Sequence, residues 1–132
     1  MRMDKQDYIK YWKTSSEKSW NVAQHLFEKA DYVESLFFTH LTIEKILKAH
    51  WVKDNLGDFP PRIHNVRRLA EQTNLNLDSN QLVFLEQINT FQLEGRYPDY
   101  RFSIYQTFDK QKTKLILDET ENFYQWLLSK LP

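Results

Sequence analysis

The stretch FQLEGRYPDYRF concentrates side chains that bind anions and flat rings. Arg96 and Arg101 carry planar guanidinium groups, which pair in bidentate fashion with phosphate or carboxylate oxygens. Tyr97 can stack on a nucleobase, and Pro98 holds it extended and stiffens the corner. This chemistry favours a nucleotide or an RNA phosphate as ligand. A protein interface is the alternative, because Tyr and Arg are also favoured anchors between proteins.

A second candidate is the polar line His40, Glu44 and Lys48, whose spacing of four residues places all three on one face of a helix. Glu44 precedes Lys48, the favourable direction for an ion pair, which would contribute a few tenths of a kcal/mol. The alternative is the wall of a polar groove, because charges on a buried helix need partners. A zinc site would need a third ligand, and no HExxH motif is present. We therefore predict no metal site.

A third candidate is the basic segment PRIHNVRRL, which carries Arg62, His64, Arg67 and Arg68 near the start of a short predicted helix. The positive end of a helix attracts anions, so this segment could bind phosphate. Two plainer readings stay open. The arginines could form a solvated surface, and His64 could cap the short helix or fill space beside it.

Several chemistries are excluded by what the sequence lacks. Without cysteine there is no disulfide, thiolate metal site or cysteine nucleophile. Two glycines cannot build a P-loop, and no nucleophile elbow is present. Asp118 and Glu121 lie on a predicted outer helix face, where solvation is the ordinary state. We predict no cofactor, and catalytic residues cannot be assigned.

Length and charge bound the class of protein. The 132 residues form one predicted domain, residues 1–132. The 18 basic and 18 acidic side chains cancel, which argues against coating of duplex nucleic acid but leaves room for a local phosphate site. The charged start MRMDKQDYIK is unlike a signal peptide, and the apolar runs are too short for a membrane span. We expect a cytoplasmic protein with no membrane contact.

Periodicity and capping signals predict five helices, at residues 5–29, 32–53, 65–73, 79–94 and 109–130. Long helices joined by short turns pack most simply side by side, so the predicted fold is all-α, an up-and-down bundle of four to five helices. The second helix is apolar nearly all round and is expected to be central.

Particular signals set the predicted boundaries. TSSE at residues 14–17 could be a capping box that divides the first helix, and Asp31 with Glu34 could cap the second. Asp78 or Ser79 is expected to cap the fourth helix, and Gly95 to end it. On the fifth, the predicted buried stripe is Leu115, Ile116, Phe123, Trp126 and Leu127. The connection after Gly95, residues 95–108, is the longest irregular stretch, and such loops often carry function.

Three segments together resemble the HEPN domain family, the nucleotide-binding domain of higher eukaryotes and prokaryotes. They are FFTHLTIEKILKAHW, IHNVRRLAEQ and LEQINTFQLEGRYPDY. The shared features are an E-K-x-x-K core beginning at Glu44, the histidine His64 before helix three, and an R-Y-P-D corner from Arg96 to Asp99. The resemblance covers most of the chain, as in the small stand-alone prokaryotic members of the family.

The resemblance implies an all-α bundle that is usually a homodimer, often encoded beside a minimal nucleotidyltransferase as a toxin–antitoxin-like pair. Some members bind nucleotides, and others are metal-independent endoribonucleases that use an Arg followed a few residues later by a His. In such a site the His would move protons and the Arg would stabilise charge on phosphorus. This chain departs from the pattern, because no histidine follows His64.

Three hypotheses about function follow. The first is a homodimeric module that binds a nucleotide or RNA phosphate; its expected binding residues are Arg96, Tyr97, Asp99, Arg101, Lys48 and His64. The second is a metal-independent endoribonuclease with an atypical site that lacks the usual His. The third is a protein-interaction module, in which the corner anchors the dimer or a nucleotidyltransferase partner.

Overall fold

The computed structural model describes residues 2–96 and 107–132, and for residues 93–96 it describes the helical backbone alone. These residues form five helices and no strand, an all-α bundle as predicted. They are α1 (Lys5–Glu28), α2 (Tyr32–Asp54), α3 (Val66–Glu71), α4 (Ser79–Arg96) and α5 (Lys110–Ser129).

Helix α1 begins at Asp4, whose carboxylate accepts from the Asp7 amide at 2.9 Å while the Asp7 carboxylate accepts from the Asp4 amide at 3.0 Å. This reciprocal pair satisfies two amides that the first turn leaves open. The predicted break at TSSE is wrong, since the helix is continuous. Ser16 is fully buried, and its hydroxyl donates to the Lys13 carbonyl and bonds the Tyr124 hydroxyl, so it does not cap a second helix.

A short turn reverses the chain into α2. Ala30 adopts a left-handed backbone with φ of 64°, and the Asp31 amide donates to the Leu26 carbonyl at 2.9 Å, which closes the end of α1. The predicted capping box at Asp31 is wrong, because its side chain makes no capping hydrogen bond. At the far end, Lys5 donates to the carbonyls of Val52, Asn55 and Gly57 and so caps α2 from α1.

Helix α4 is capped by Asp78, one of the two predicted caps, and Asp78 and Gln81 exchange side-chain-to-amide hydrogen bonds of 2.7 and 2.9 Å. The prediction that Gly95 ends the helix is wrong, because α4 continues to Arg96. A glycine ends a helix through a left-handed backbone, and no glycine in the described part of the chain has positive φ.

Helix α5 begins at Asp109, whose carboxylate accepts from the Lys112 amide. Ile116, Phe123 and Leu127 are buried as predicted, and Trp126 is half-buried. Leu115 is wrongly placed in the stripe, since 64% of it is exposed. The buried line is spaced at three and four residues and includes polar members: Thr113, Ile116, Leu117, Thr120, Phe123, Tyr124 and Leu127. Position 115 lies outside that spacing.

The long helices alternate in direction around α2, which contacts all four of the other described helices as its apolar sequence predicts. Ser35 near the start of α2 bonds the Ala23 carbonyl near the end of α1, so these two helices are antiparallel. Phe84 packs on Phe123, and Phe91 on Phe108, so α4 and α5 are antiparallel as well. Within the described ranges, no helix is both long and apolar enough to cross a bilayer.

Candidate functional site

A buried carboxylate on the central helix organises the candidate site. Glu44 is 4% exposed, and its Oε2 accepts from Lys48 Nζ at 3.1 Å, one turn further along α2. The predicted ion pair is thus confirmed. It lies in the interior, where removal of either charge would leave the other without compensation.

Lys48 is held from two sides. Its side chain is 10% exposed, and its ammonium lies 5.0 Å from the ring centre of Trp12 on α1 while it donates to Glu44. A cation over an indole face is favourable, more so where water is excluded. Lys48 is therefore engaged inside the protein, and whether it contacts a ligand stays a prediction.

The second oxygen of Glu44 reaches His64 in the segment before α3. His64 Nδ1 lies 3.0 Å from Glu44 Oε1, while 47% of the His64 side chain is exposed. A carboxylate only accepts hydrogen bonds, so Nδ1 must carry the proton. No described residue hydrogen-bonds the other ring nitrogen, Nε2. The histidine is thus held at Nδ1, and no residue of the described part of the chain holds Nε2.

His40 fixes the backbone of the same residue. It is fully buried, and its Nε2 donates to the His64 carbonyl at 2.9 Å, one turn before Glu44 on α2. Burial lowers the pKa of His40, against the opposing effects of the His64 carbonyl and of Glu44. The ring is therefore neutral, with a bare and buried Nδ1 that has no hydrogen-bond partner among the described residues.

The start of α3 is closed by side chains. Asn65 accepts from the Arg68 amide, and Asn89 on α4 accepts from the Val66 amide at 2.8 Å while donating to Asn65 at 2.9 Å. The alternative that His64 caps this helix is wrong, because Asn65 is its cap. The amides of Val66 and Arg68 already have protein partners, and phosphate binding by this segment stays a prediction.

The basic segment before and within α3 does not act as one cluster. Arg67 forms ion pairs with Glu86 at 2.8 Å and with Glu71 at 3.6 Å, so surface carboxylates compensate its charge. Arg62 and Arg68 are exposed. Of the four residues singled out in the sequence, only His64 joins the Glu44 cluster.

The described backbone of α4 leads from the segment after His64 to Arg96. Asn89 lies at the His64 segment, and Arg96 follows seven residues later on α4, about 10 Å along the helix axis and on the same side. The side chain of Arg96 and the whole of Tyr97, Asp99 and Arg101 lie outside the described residues. The predicted roles of these four residues stay predictions.

Sequence reasoning missed two contributors. The first is Glu44 as the partner of His64, although the four-residue spacing of His40, Glu44 and Lys48 did mark the polar face. The second is Trp12, which is partly buried and whose ring lies 5.0 Å from the Lys48 ammonium. A contact across 20 residues, as between Glu44 and His64, has no local signal in the sequence.

The fold and the cluster define a class: an all-α bundle whose central helix carries a buried Glu–Lys pair beneath a half-exposed histidine. The HEPN domain family matches residues 9–131, so the chain belongs to the HEPN family. Membership in this family supports a general role related to nucleotides or RNA. Comparison with curated proteins and with solved structures found no match. Within residues 2–96 and 107–132, no three His, Asp or Glu side chains are grouped to hold a metal ion.

Proposed function

We propose that the protein binds a nucleotide or the phosphate of an RNA at the corner that begins at Arg96. Arg96, Tyr97, Asp99 and Arg101 form the main ligand surface, and His64 contributes its open ring nitrogen. One observation carries the proposal: His64 is held by the buried Glu44, and the residues that follow it, Asn65 and Val66, bond Asn89, seven residues before Arg96 on α4.

The charges of the described cluster support an anionic ligand. Lys48 already compensates the carboxylate of Glu44 at 3.1 Å. A protonated His64 therefore adds positive charge near the arginine corner, and Nε2–H can donate to a phosphate oxygen. Lys48 acts on the ligand indirectly in this arrangement, through Glu44.

We further propose that the protein is a cytoplasmic homodimer that pairs with a minimal nucleotidyltransferase in a toxin–antitoxin-like system. This rests on the family. Light scattering across a concentration series measures the oligomeric state, and we expect a dimer at micromolar concentration. A monomer throughout that series would overturn the homodimer.

Isothermal titration calorimetry with ATP and with GTP tests the binding proposal on the wild type and on Arg96→Ala. We expect saturable heat from the wild type. The affinity of the variant should be at least about tenfold lower, because a charge-assisted hydrogen bond to phosphate contributes about 1.5–3 kcal/mol. Absence of binding by the wild type to either nucleotide and to a short single-stranded RNA would overturn the proposal and favour a protein-interaction module.

The pairing of His64 with Glu44 favours a second candidate, a metal-independent endoribonuclease. A carboxylate that holds Nδ1–H leaves Nε2 of a neutral ring free to accept a proton, as a general base requires. In this second candidate His64 takes the place of the family histidine and accepts the proton of a ribose 2′-hydroxyl. The 2′-oxygen attacks the adjacent phosphate, the bond from phosphorus to the 5′-oxygen breaks, and the 5′-oxygen leaves with a proton while a 2′,3′-cyclic phosphate remains.

Incubation of RNA with the protein in a chelator tests the second candidate. Cleavage that disappears in both His64→Ala and Arg96→Ala would support it. Intact RNA after prolonged incubation with the wild type would contradict it and leave the binding module.

A further inference from the structure

The buried carboxylate of Glu44 has a hydrogen-bond partner outside its own helix. Burying a carboxylate is costly unless its oxygens are satisfied, and here each oxygen has one cationic or proton-bearing partner. One partner, Lys48, is on the same helix. The other, His64, lies 20 residues further along the chain, in a segment without regular structure, and keeps nearly half of its side chain in solvent.

The hydrogen bonds decide which nitrogen of His64 faces outward. Glu44 can only accept, so the proton of a neutral ring is drawn to Nδ1 and Nε2 keeps its lone pair. His40 adds a second restraint by holding the carbonyl of the same residue. Asn65, the next residue, is held by the α3 amide of Arg68 and by Asn89. Hydrogen bonds from α2 thus restrain both the backbone of His64 and the proton on Nδ1 of its half-exposed ring.

We propose that Glu44 is a positioning residue that holds Nδ1–H of His64 and so turns Nε2 toward the ligand, where the cationic ring donates Nε2–H to a phosphate oxygen. The statement about the ligand rests on the proposed function, whereas the statement about the ring concerns the protein alone. Lys48 has a defined part in this device. It occupies one oxygen of Glu44 and leaves the other for His64.

Nitrogen-15 NMR of the imidazole rings in the ligand-free protein tests the first statement. We expect neutral His64 in the wild type to carry its proton on Nδ1. Glu44→Gln should reverse this. Lys48 needs the single amide oxygen, so the NH₂ group is turned toward His64, and a ring nitrogen that faces a donor must be bare. The proton then moves to Nε2.

The double variant Glu44→Gln with Lys48→Met is the matched control. Without the lysine, the amide oxygen is free to turn to His64, and the Nδ1–H form should return. A merely structural role for Glu44 does not predict this reversal and rescue. A wild-type ring with its proton on Nε2 would overturn the proposal, as would a folded Glu44→Gln variant that keeps the Nδ1–H form. If that single variant fails to fold, the wild type still decides, because a proton on Nε2 there overturns the proposal.

Calorimetry with ATP tests the second statement, using His64→Gln and His64→Asn. The amide nitrogen of Gln occupies the place of Nε2, whereas that of Asn occupies the place of Nδ1. We expect His64→Gln to retain much of the wild-type affinity and His64→Asn to lose about tenfold, as His64→Ala does. Equal affinities of the Gln and Asn variants would overturn the ligand contact through Nε2.

The two failures are distinguishable. If the wild type does not bind ATP, the proposed function fails for this ligand, while the NMR result still accepts or rejects the control of His64 by Glu44. If ATP binds and Arg96→Ala weakens it, but the His64 ring does not respond to Glu44→Gln, the function stands and the positioning role fails.

Discussion

The two buried histidines of α2 make the same hydrogen bond in different surroundings. His40 donates from Nε2 to the His64 carbonyl at 2.9 Å, and His50 donates from Nε2 to the Leu127 carbonyl at 2.8 Å. Both are fully buried, and burial is the main cause that lowers the pKa of each. In both rings Nδ1 is buried without a hydrogen-bond partner in the described part of the chain.

The difference lies in what each bond holds in place. His50 ties α2 to the last turn of α5. His40 holds a residue whose ring is half-exposed and bonded to a buried carboxylate one turn away. A buried histidine is therefore no evidence of function by itself. The cluster around His40 points to function because its polar groups converge on a side chain that solvent reaches.

The largest effect should come from breaking the charge pair beside His40. Glu44→Met leaves the Lys48 ammonium buried without its partner, and we expect a loss of about 3–5 kcal/mol in the free energy of unfolding. Urea denaturation measures it. Glu44→Met combined with Lys48→Met removes both charges and should recover a large part of that loss. A double variant as unstable as the sum of the two single variants would show that the pair is not coupled.

Replacing each histidine by leucine tests the comparison itself. We expect both variants to lose about 1–3 kcal/mol, with His50→Leu at the low end because the Leu127 carbonyl also accepts from the Lys130 amide. Only His40→Leu should weaken ATP binding, since it releases His64. If His50→Leu weakens ATP binding equally, the two ends of α2 do not differ in function.

The pH dependence of stability should report both histidines. Their folded pKa values lie below the ordinary 6.5, so below that pH the unfolded chain takes up protons that the folded chain does not. Stability is therefore retained above about pH 6.5 and falls as the pH drops further. Denaturation midpoints between about pH 7.5 and pH 5, above the carboxylate range, measure the fall. The His40→Leu/His50→Leu variant should show a smaller fall, and an identical profile would contradict the assignment.

The smallest effect is expected at an exposed pair of the same spacing. Lys114 and Asp118 on α5 lie 2.9 Å apart, but their side chains are 60% and 62% exposed. Water and salt screen such a pair, so Asp118→Ala should change the free energy of unfolding by less than about 0.5 kcal/mol. A loss comparable to that of Glu44→Met would show that burial does not set the contribution of these pairs.

The sequence was informative where structure is local. Helical periodicity predicted all five described helices, and the four-residue spacing predicted the pair of Glu44 with Lys48. It failed at two local capping signals. The TSSE segment stays inside α1, where Ser16 bonds Tyr124 on α5, and Asp31 makes no side-chain capping hydrogen bond at the start of α2. The approach of His64 to Glu44 depends on the path of the segment between α2 and α3, which no periodicity describes.

The central claim is that His64 and the corner at Arg96 contact the same ligand. A double-mutant cycle by calorimetry tests it most directly, with ATP titrated into the wild type, His64→Ala, Arg96→Ala and the double variant, and with Arg67→Ala as control because Arg67 is paired with Glu86. We expect both single variants to weaken binding, the control to leave it unchanged, and the losses to be non-additive by at least about 0.5 kcal/mol. Loss of affinity in Arg96→Ala together with an unchanged affinity in His64→Ala would contradict the account.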